Sequence, residues 1–144
     1  MFLNRLHLRH FRNYQEQEII FSAPKTILLG DNAQGKSNLL EAVELLSTLK
    51  SHRVSRDRDL VLAGESESKI TAQLTRKHGS IDLGLIIRDK GRRTAIVNTE
   101  NLKRQLDFLG ILNAVEFSVL TIAVRRPLSL MIKPRSIEPC LRVN

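Results

Sequence analysis

Apolar and polar residues alternate at the start of the chain. Leu3-Asn4-Arg5-Leu6-His7-Leu8 repeats with period two, the pattern of a half-buried strand. Phe11-Arg12-Asn13-Tyr14 follows, and Gln15–Phe21 reads as a second strand. Pro24 punctuates. Thr26-Ile27-Leu28-Leu29 is a continuous apolar run ending at Gly30, which suits a strand buried on both faces in a helix-covered sheet. From Lys36 to Lys50 the period changes. Leu39, Leu40, Val43, Leu46 and Leu49 recur at helical spacing and are assigned to one face, with Glu41 and Glu44 pointing elsewhere. Ser51–Asp59 is dense in charge and reads as a connection. Period two returns in Ile70–Thr75 and Ile81–Arg88. Asp89-Lys90-Gly91-Arg92 reads as a turn, and Arg93–Asn98 as the returning strand. Leu102–Leu109 is expected to be a short helix stopped by Gly110, and Leu112–Phe117 a last strand. The pattern then breaks. Val119–Asn144 holds three of the four prolines and the single cysteine, and reads as a tail.

Composition narrows this little. A chain of 144 residues, 42% apolar, has room for one domain with a hydrophobic core. No apolar run approaches the ~18 residues of a membrane span, and the N-terminus lacks the apolar stretch of a signal peptide. Cys140 alone cannot form an internal disulfide, so a cytoplasmic setting is expected. The net charge is +8, and five basic residues against one acid lie in the tail. Such a balance suits nucleic acid or another polyanion, and equally a solvated basic surface.

The chemistry sits in Gly30-Asp31-Asn32-Ala33-Gln34-Gly35-Lys36-Ser37, which matches the phosphate-binding pattern G-x-x-x-x-G-K-[ST]. The glycines admit torsions that turn backbone N–H groups toward phosphate oxygens. Asn32 tolerates left-handed torsions. Lys36 sets a cation against the β- and γ-phosphates, and the Ser37 hydroxyl is a Mg²⁺ ligand beside them. The helix that opens here adds the positive end of its dipole. The motif follows an apolar strand and opens a helix, as it must. A nucleoside triphosphate, ATP before others, is the expected ligand.

Other features select among phosphate-loop proteins. The guanine-reading Asn-Lys-x-Asp pattern is missing, and Asp107-Phe108-Leu109-Gly110 closes a helix, the wrong context for a GTPase. After its first helix the chain enters an antiparallel segment, as in the first half of an ATP-binding-cassette head. The fold class is therefore α/β: a partial P-loop NTPase with an antiparallel β segment, an incomplete domain. From Met1 to about Ser118 the chain resembles the N-terminal portion of the RecF family of bacterial recombination and replication-repair ATPases. The resemblance rests on Leu6–Tyr14, on Gly30–Ala42, on Ser51-His52-Arg53 and on Ile96-Val97-Asn98. It implies a lobe over 1–118, with 119–144 outside the family pattern. It also implies an ATP-dependent homodimer that binds single-stranded or gapped DNA and works with recombination-mediator proteins, in repair, replication and SOS induction. By position, Arg12 and Asn13 fall near the nucleotide, and Glu116 falls where such heads place a metal-contacting glutamine. Arg53, Arg56 and Arg58 suit either DNA phosphate or solvent.

Two motifs of a complete cassette head are missing from this sequence: a Ser-x-Gly-Gln signature and an apolar run ending in Asp-Glu. Leu85-Ile86-Ile87-Arg88-Asp89 is better explained as a strand entering the Gly91 turn. The expectation is a chain truncated or frame-shifted after about Ser118, which binds ATP without hydrolysing it. The competing expectations are a self-sufficient small P-loop nucleotide or metabolite kinase, and a basic adaptor with a vestigial loop.

Overall fold

The computed structural model describes residues 1–23, 25–31, 34–77, 79–115 and 140–142, the last as backbone. In chain order the elements are β1 (Phe2–Phe11), β2 (Tyr14–Ile20), β3 (Ile27–Leu29), α1 (Lys36–Thr48), β4 (Glu67–Arg76), β5 (Gly79–Arg88), β6 (Thr94–Val97), β7 (Glu100–Asn101) and β8 (Cys140–Arg142). Six of them form one antiparallel sheet in the order β2-β1-β4-β5-β6-β7. β1 and β2 are joined through Arg12 and Asn13 alone, with Phe11 opposite Tyr14.

The period-two pattern works as expected. Leu6 and Leu8 of β1, Ile70, Ala72 and Leu74 of β4, and Leu83, Leu85 and Ile87 of β5 are buried. Helix α1 brings Leu39, Ala42, Leu45 and Leu46 into the same core. A 3₁₀ turn, Asp57–Leu60, and the residues just after it are stitched to the tip of the β1–β2 hairpin. Arg12 N–H donates to Leu60 O at 2.9 Å and Leu62 N–H donates to His10 O at 2.8 Å.

Four expectations need correction. The buried arc of α1 centres on Ala42 and Leu45, so Leu40 is 47% exposed while Glu41 is fully buried. Apolar spacing alone placed that arc too near Val43, because it gave an acid no place inside. β3 is not covered on both faces, since Ile27 and Leu29 are largely exposed. Among the described residues its one strand neighbour is β8, in parallel register. Leu102–Leu109 contains only one 3₁₀ turn, Gln105–Phe108, anchored by buried Phe108. Leu112–Val115 is not a strand, and Glu116 and Phe117 lie outside the described residues. Of the region read as a tail, only β8 is described.

Candidate functional site

The loop between β3 and α1 ends in a left-handed residue. Gly35 is the N-cap of α1, with φ 98°. An added Cβ there would stand 2.7 Å from Tyr14 Oη and 3.0 Å from Asn13 Nδ2. Both torsion and space therefore require glycine. The helix starts with no side-chain cap and no acid in its first turn. A helix N-terminus in that state offers N–H groups and a positive dipole end to an anion. Lys36 Nζ bends back over the loop and donates to Gly30 O at 2.6 Å and Asp31 O at 2.5 Å. Ser37 is exposed beside it and Gln34 is half-buried. Asn32 and Ala33, both assigned to the loop from sequence, lie outside the described residues. So does Glu116, so its proximity to Ser37 is not described.

The β1–β2 hairpin forms the floor and one flank of the loop. Phe11 and Tyr14 are buried beneath it. The Tyr14 hydroxyl has no hydrogen-bond partner among the described residues, and burial raises its pKa. Asn13 sits at the flank, where its Oδ1 accepts from Asn38 Nδ2 at 2.8 Å. Arg12 is not the solvated arginine that a bland strand end would carry. Its guanidinium grips Glu41 through Nε (2.8 Å) and Nη2 (2.7 Å), and Nη1 donates to Asp59 O at 2.8 Å.

Glu41 is the residue that sequence reasoning missed. Besides Arg12, it accepts from Ser51 Oγ at 2.5 Å and Arg53 Nη1 at 3.2 Å. Arg53 Nη1 also donates to Asn38 Oδ1 at 2.6 Å. Burial alone would raise the Glu41 pKa. Hydrogen bonds from Arg12 and Ser51, with the charges of Arg12 and Arg53, outweigh it and hold the carboxyl below its ordinary value. One carboxylate thus serves two guanidiniums, and the cluster keeps a surplus positive charge beside the loop. The available signal was Glu41 standing four residues before Leu45, on the core face, with Arg53 in the connection after the helix. Of the other basic connection residues, Arg56 is exposed, and Arg58 makes only a loose exposed contact with Asp59, at 3.7 Å. Asp89 caps its own turn, accepting from Lys90 N–H at 2.6 Å.

Away from the loop, a groove on the open face of the sheet is lined by Arg5, His7, Glu16, Glu18 and Asp82. Across the strands Arg5 pairs with Glu18, and His7 Nε2 lies within hydrogen-bond distance of Glu16 Oε1 at 3.0 Å. Among the described residues no cluster of three or more His, Cys, Asp or Glu could hold a metal ion unaided. No helix among them is long and apolar enough to cross a membrane.

Comparison with known proteins matches this architecture. The AAA domain family pattern covers residues 5–119. The chain is 66% identical over 126 residues to the DNA replication and repair protein RecF of Acaryochloris marina (strain MBIC 11017), covering 88% of this chain and 34% of that protein. It is 63% identical over 126 residues to RecF of Gloeothece citriformis (strain PCC 7424), covering 88% and 33%. The chain therefore spans about a third of the length of the curated relatives it matches. A solved structure described as the recombination mediator protein RecF-ATP in the RecFOR pathway is 31% identical, with TM-score 0.79, over 85% of this chain and 34% of that one. A solved structure described as showing ATP-driven dimerization and DNA-stimulated activation of SMC ATPases shares the fold at 21% identity and TM-score 0.69, over 76% of each chain. The chain belongs to the AAA domain family, and within it corresponds to the N-terminal portion of RecF.

Proposed function

We propose that this chain is the ATP-binding N-terminal lobe of a RecF-like protein, acting in DNA replication and recombinational repair and in SOS induction through ATP-dependent DNA binding. The observation that carries the reading is the seat of the loop. Gly35 lies against Tyr14 and Asn13, Lys36 folds over the loop carbonyls, and the first turn of α1 is uncapped. These residues fit a triphosphate. Loop N–H groups and the dipole end of α1 bind its oxygens, and Lys36 neutralises its charge. The surplus charge of the Arg12–Glu41–Arg53 cluster adds to the local positive potential. Mg²⁺ bound with the nucleotide would take the exposed Ser37 hydroxyl as a ligand, with Glu116 a candidate second one. A metal held mostly by phosphates and water needs few protein ligands.

The remaining assignments belong to the same proposal. Residues 1–118 form the lobe and 119–144 lie outside the family pattern. The complete protein is a cytoplasmic homodimer closed by ATP, which meets single-stranded or gapped DNA and mediator proteins. This chain binds ATP without turning it over, because its sequence has neither the signature nor the Asp-Glu motif. Titrating the full chain with ATP and Mg²⁺ tests the reading. Binding is expected in the parent, with at least tenfold loss (about 1.4 kcal/mol) in Lys36→Ala. Equal affinity in parent and variant, or no binding by the parent, refutes it. Phosphoryl transfer to a small acceptor by the parent would favour a self-sufficient kinase instead.

A further inference from the structure

Glu41 is the one carboxylate with no exposed surface among the described residues, and neither phosphate binding nor the core uses it directly. We propose that Glu41 is a positioning residue for the nucleotide site, fixing the tip of the β1–β2 hairpin so that Asn13 presents a hydrogen-bond donor to the loop. The proposal rests on the reading of that loop as the nucleotide site. Two routes lead from Glu41 to Asn13. The short one runs through Arg12, the chain neighbour of Asn13, whose guanidinium is gripped by both Glu41 oxygens. The longer one runs through Arg53 and Asn38.

The longer route has a polarity. Arginine donates hydrogen bonds and accepts none. Arg53, held by Glu41, therefore requires the Asn38 carbonyl oxygen to face it, at 2.6 Å. That leaves the Asn38 amide N–H₂ to face Asn13, where it donates to Oδ1 at 2.8 Å. Asn13 Oδ1 is then occupied, and its own N–H₂ is turned to Gly35, 3.0 Å from where a Cβ would stand. Each amide is oriented by the one before it, and the first term of the series is the buried negative charge. Its last term is a donor beside the loop, the polarity a phosphate oxygen or a loop carbonyl needs. Removing the charge at Glu41 frees Arg53, and with it the orientation of both amides.

The experiment uses the full chain and a double-mutant cycle on ATP affinity. Glu41→Gln and Asn13→Ala are each expected to weaken ATP binding several-fold, and the double variant no more than the weaker-binding single. Losses that multiply, or an unchanged affinity in folded Glu41→Gln, overturn the proposal. A second measurement needs no nucleotide: amide hydrogen exchange of the chain alone. Glu41→Gln should speed exchange in residues 12–14 and 34–38 while β4 and β5 stay protected. Equal acceleration everywhere would mark Glu41 as a general stability residue and overturn it. Asn38→Ala breaks the relay without touching the buried charge, and is expected to reproduce the loop effect should Glu41→Gln not fold. If the parent fails to bind ATP, the nucleotide reading falls, while the exchange measurement still decides the relay.

Discussion

Gly35→Ala tests whether the hairpin truly forms the floor of the loop. Gly35 has φ 98°, a conformation that an alanine Cβ opposes by about 1–2 kcal/mol. The new methyl would also stand 2.7 Å from Tyr14 Oη and 2.8 Å from Tyr14 Cζ, closer than such contacts permit. Tyr14 cannot swing aside easily, because it is only 5% exposed and is paired opposite Phe11. Overpacking of a filled site costs a further ~1–3 kcal/mol. Together the two effects give about 2–5 kcal/mol, a large share of the stability of a small domain. Thermal unfolding followed by circular dichroism should show a drop on the order of 10 °C. The partner variant Tyr14→Leu in the Gly35→Ala background should recover part of that loss, because it removes both close atoms. A midpoint for Gly35→Ala within about 1 °C of the parent, an effect under ~0.5 kcal/mol, would refute the close packing of loop on hairpin.

Two further outcomes follow from burial and charge. The folded Glu41 pKa lies below its ordinary value, so its stabilising contribution is complete above the unfolded carboxylate pKa of about 4.3 and is lost as pH falls through the folded value. Urea midpoints measured from pH 7 down to pH 3 should therefore fall more steeply for the parent than for Glu41→Gln; parallel curves would show that the buried charge is not coupled to folding. The rotated face of α1 is tested by comparing Leu45→Ala with Leu40→Ala. The first should cost ~2–5 kcal/mol and the second, at a half-exposed position, less than ~1 kcal/mol, and the reverse order in denaturant titrations would restore the face read from spacing.

The hairpins were legible because each strand has one core face and one wet face, so a period of two survives in the residues themselves. The strand–loop–helix corner was legible because the phosphate-binding pattern fixes residue types at set spacing between an apolar run and a helix. The orientation of α1 was not. A hydrophobic-spacing argument treats every acid as a solvent residue, and Glu41 breaks that rule with partners drawn from two distant segments, Arg12 in the hairpin and Ser51 and Arg53 after the helix. No window of local sequence contains all four. β3 failed for the opposite reason. A continuous apolar run reads as a strand covered on both faces, yet Ile27 and Leu29 stay 40% and 50% exposed beside one described strand neighbour, because the run records chemistry and not which elements pack on it.

Backbone strain at the hairpin tip makes the case for the arginine itself. Arg12 has positive φ, 55°, in the two-residue turn where glycine is the unstrained choice, and His10, near the end of β1, has φ 50°. Each such residue costs about 1–2 kcal/mol. At Arg12 that cost is offset by two charge-assisted hydrogen bonds to a buried carboxylate, each worth ~1.5–3 kcal/mol. A glycine would relax the turn and leave Glu41 with one guanidinium in place of two. The tip thus trades a local backbone preference for a long-range ion pair, and that exchange ties the hairpin to the helix that carries Lys36 and Ser37. Strain of this kind persists only where its surroundings over-determine it. Here the surroundings are the two backbone hydrogen bonds to Leu60 and Leu62, the Glu41 fork and the aromatic pair beneath the loop, with Asn13 and Tyr14 of the same hairpin against Gly35.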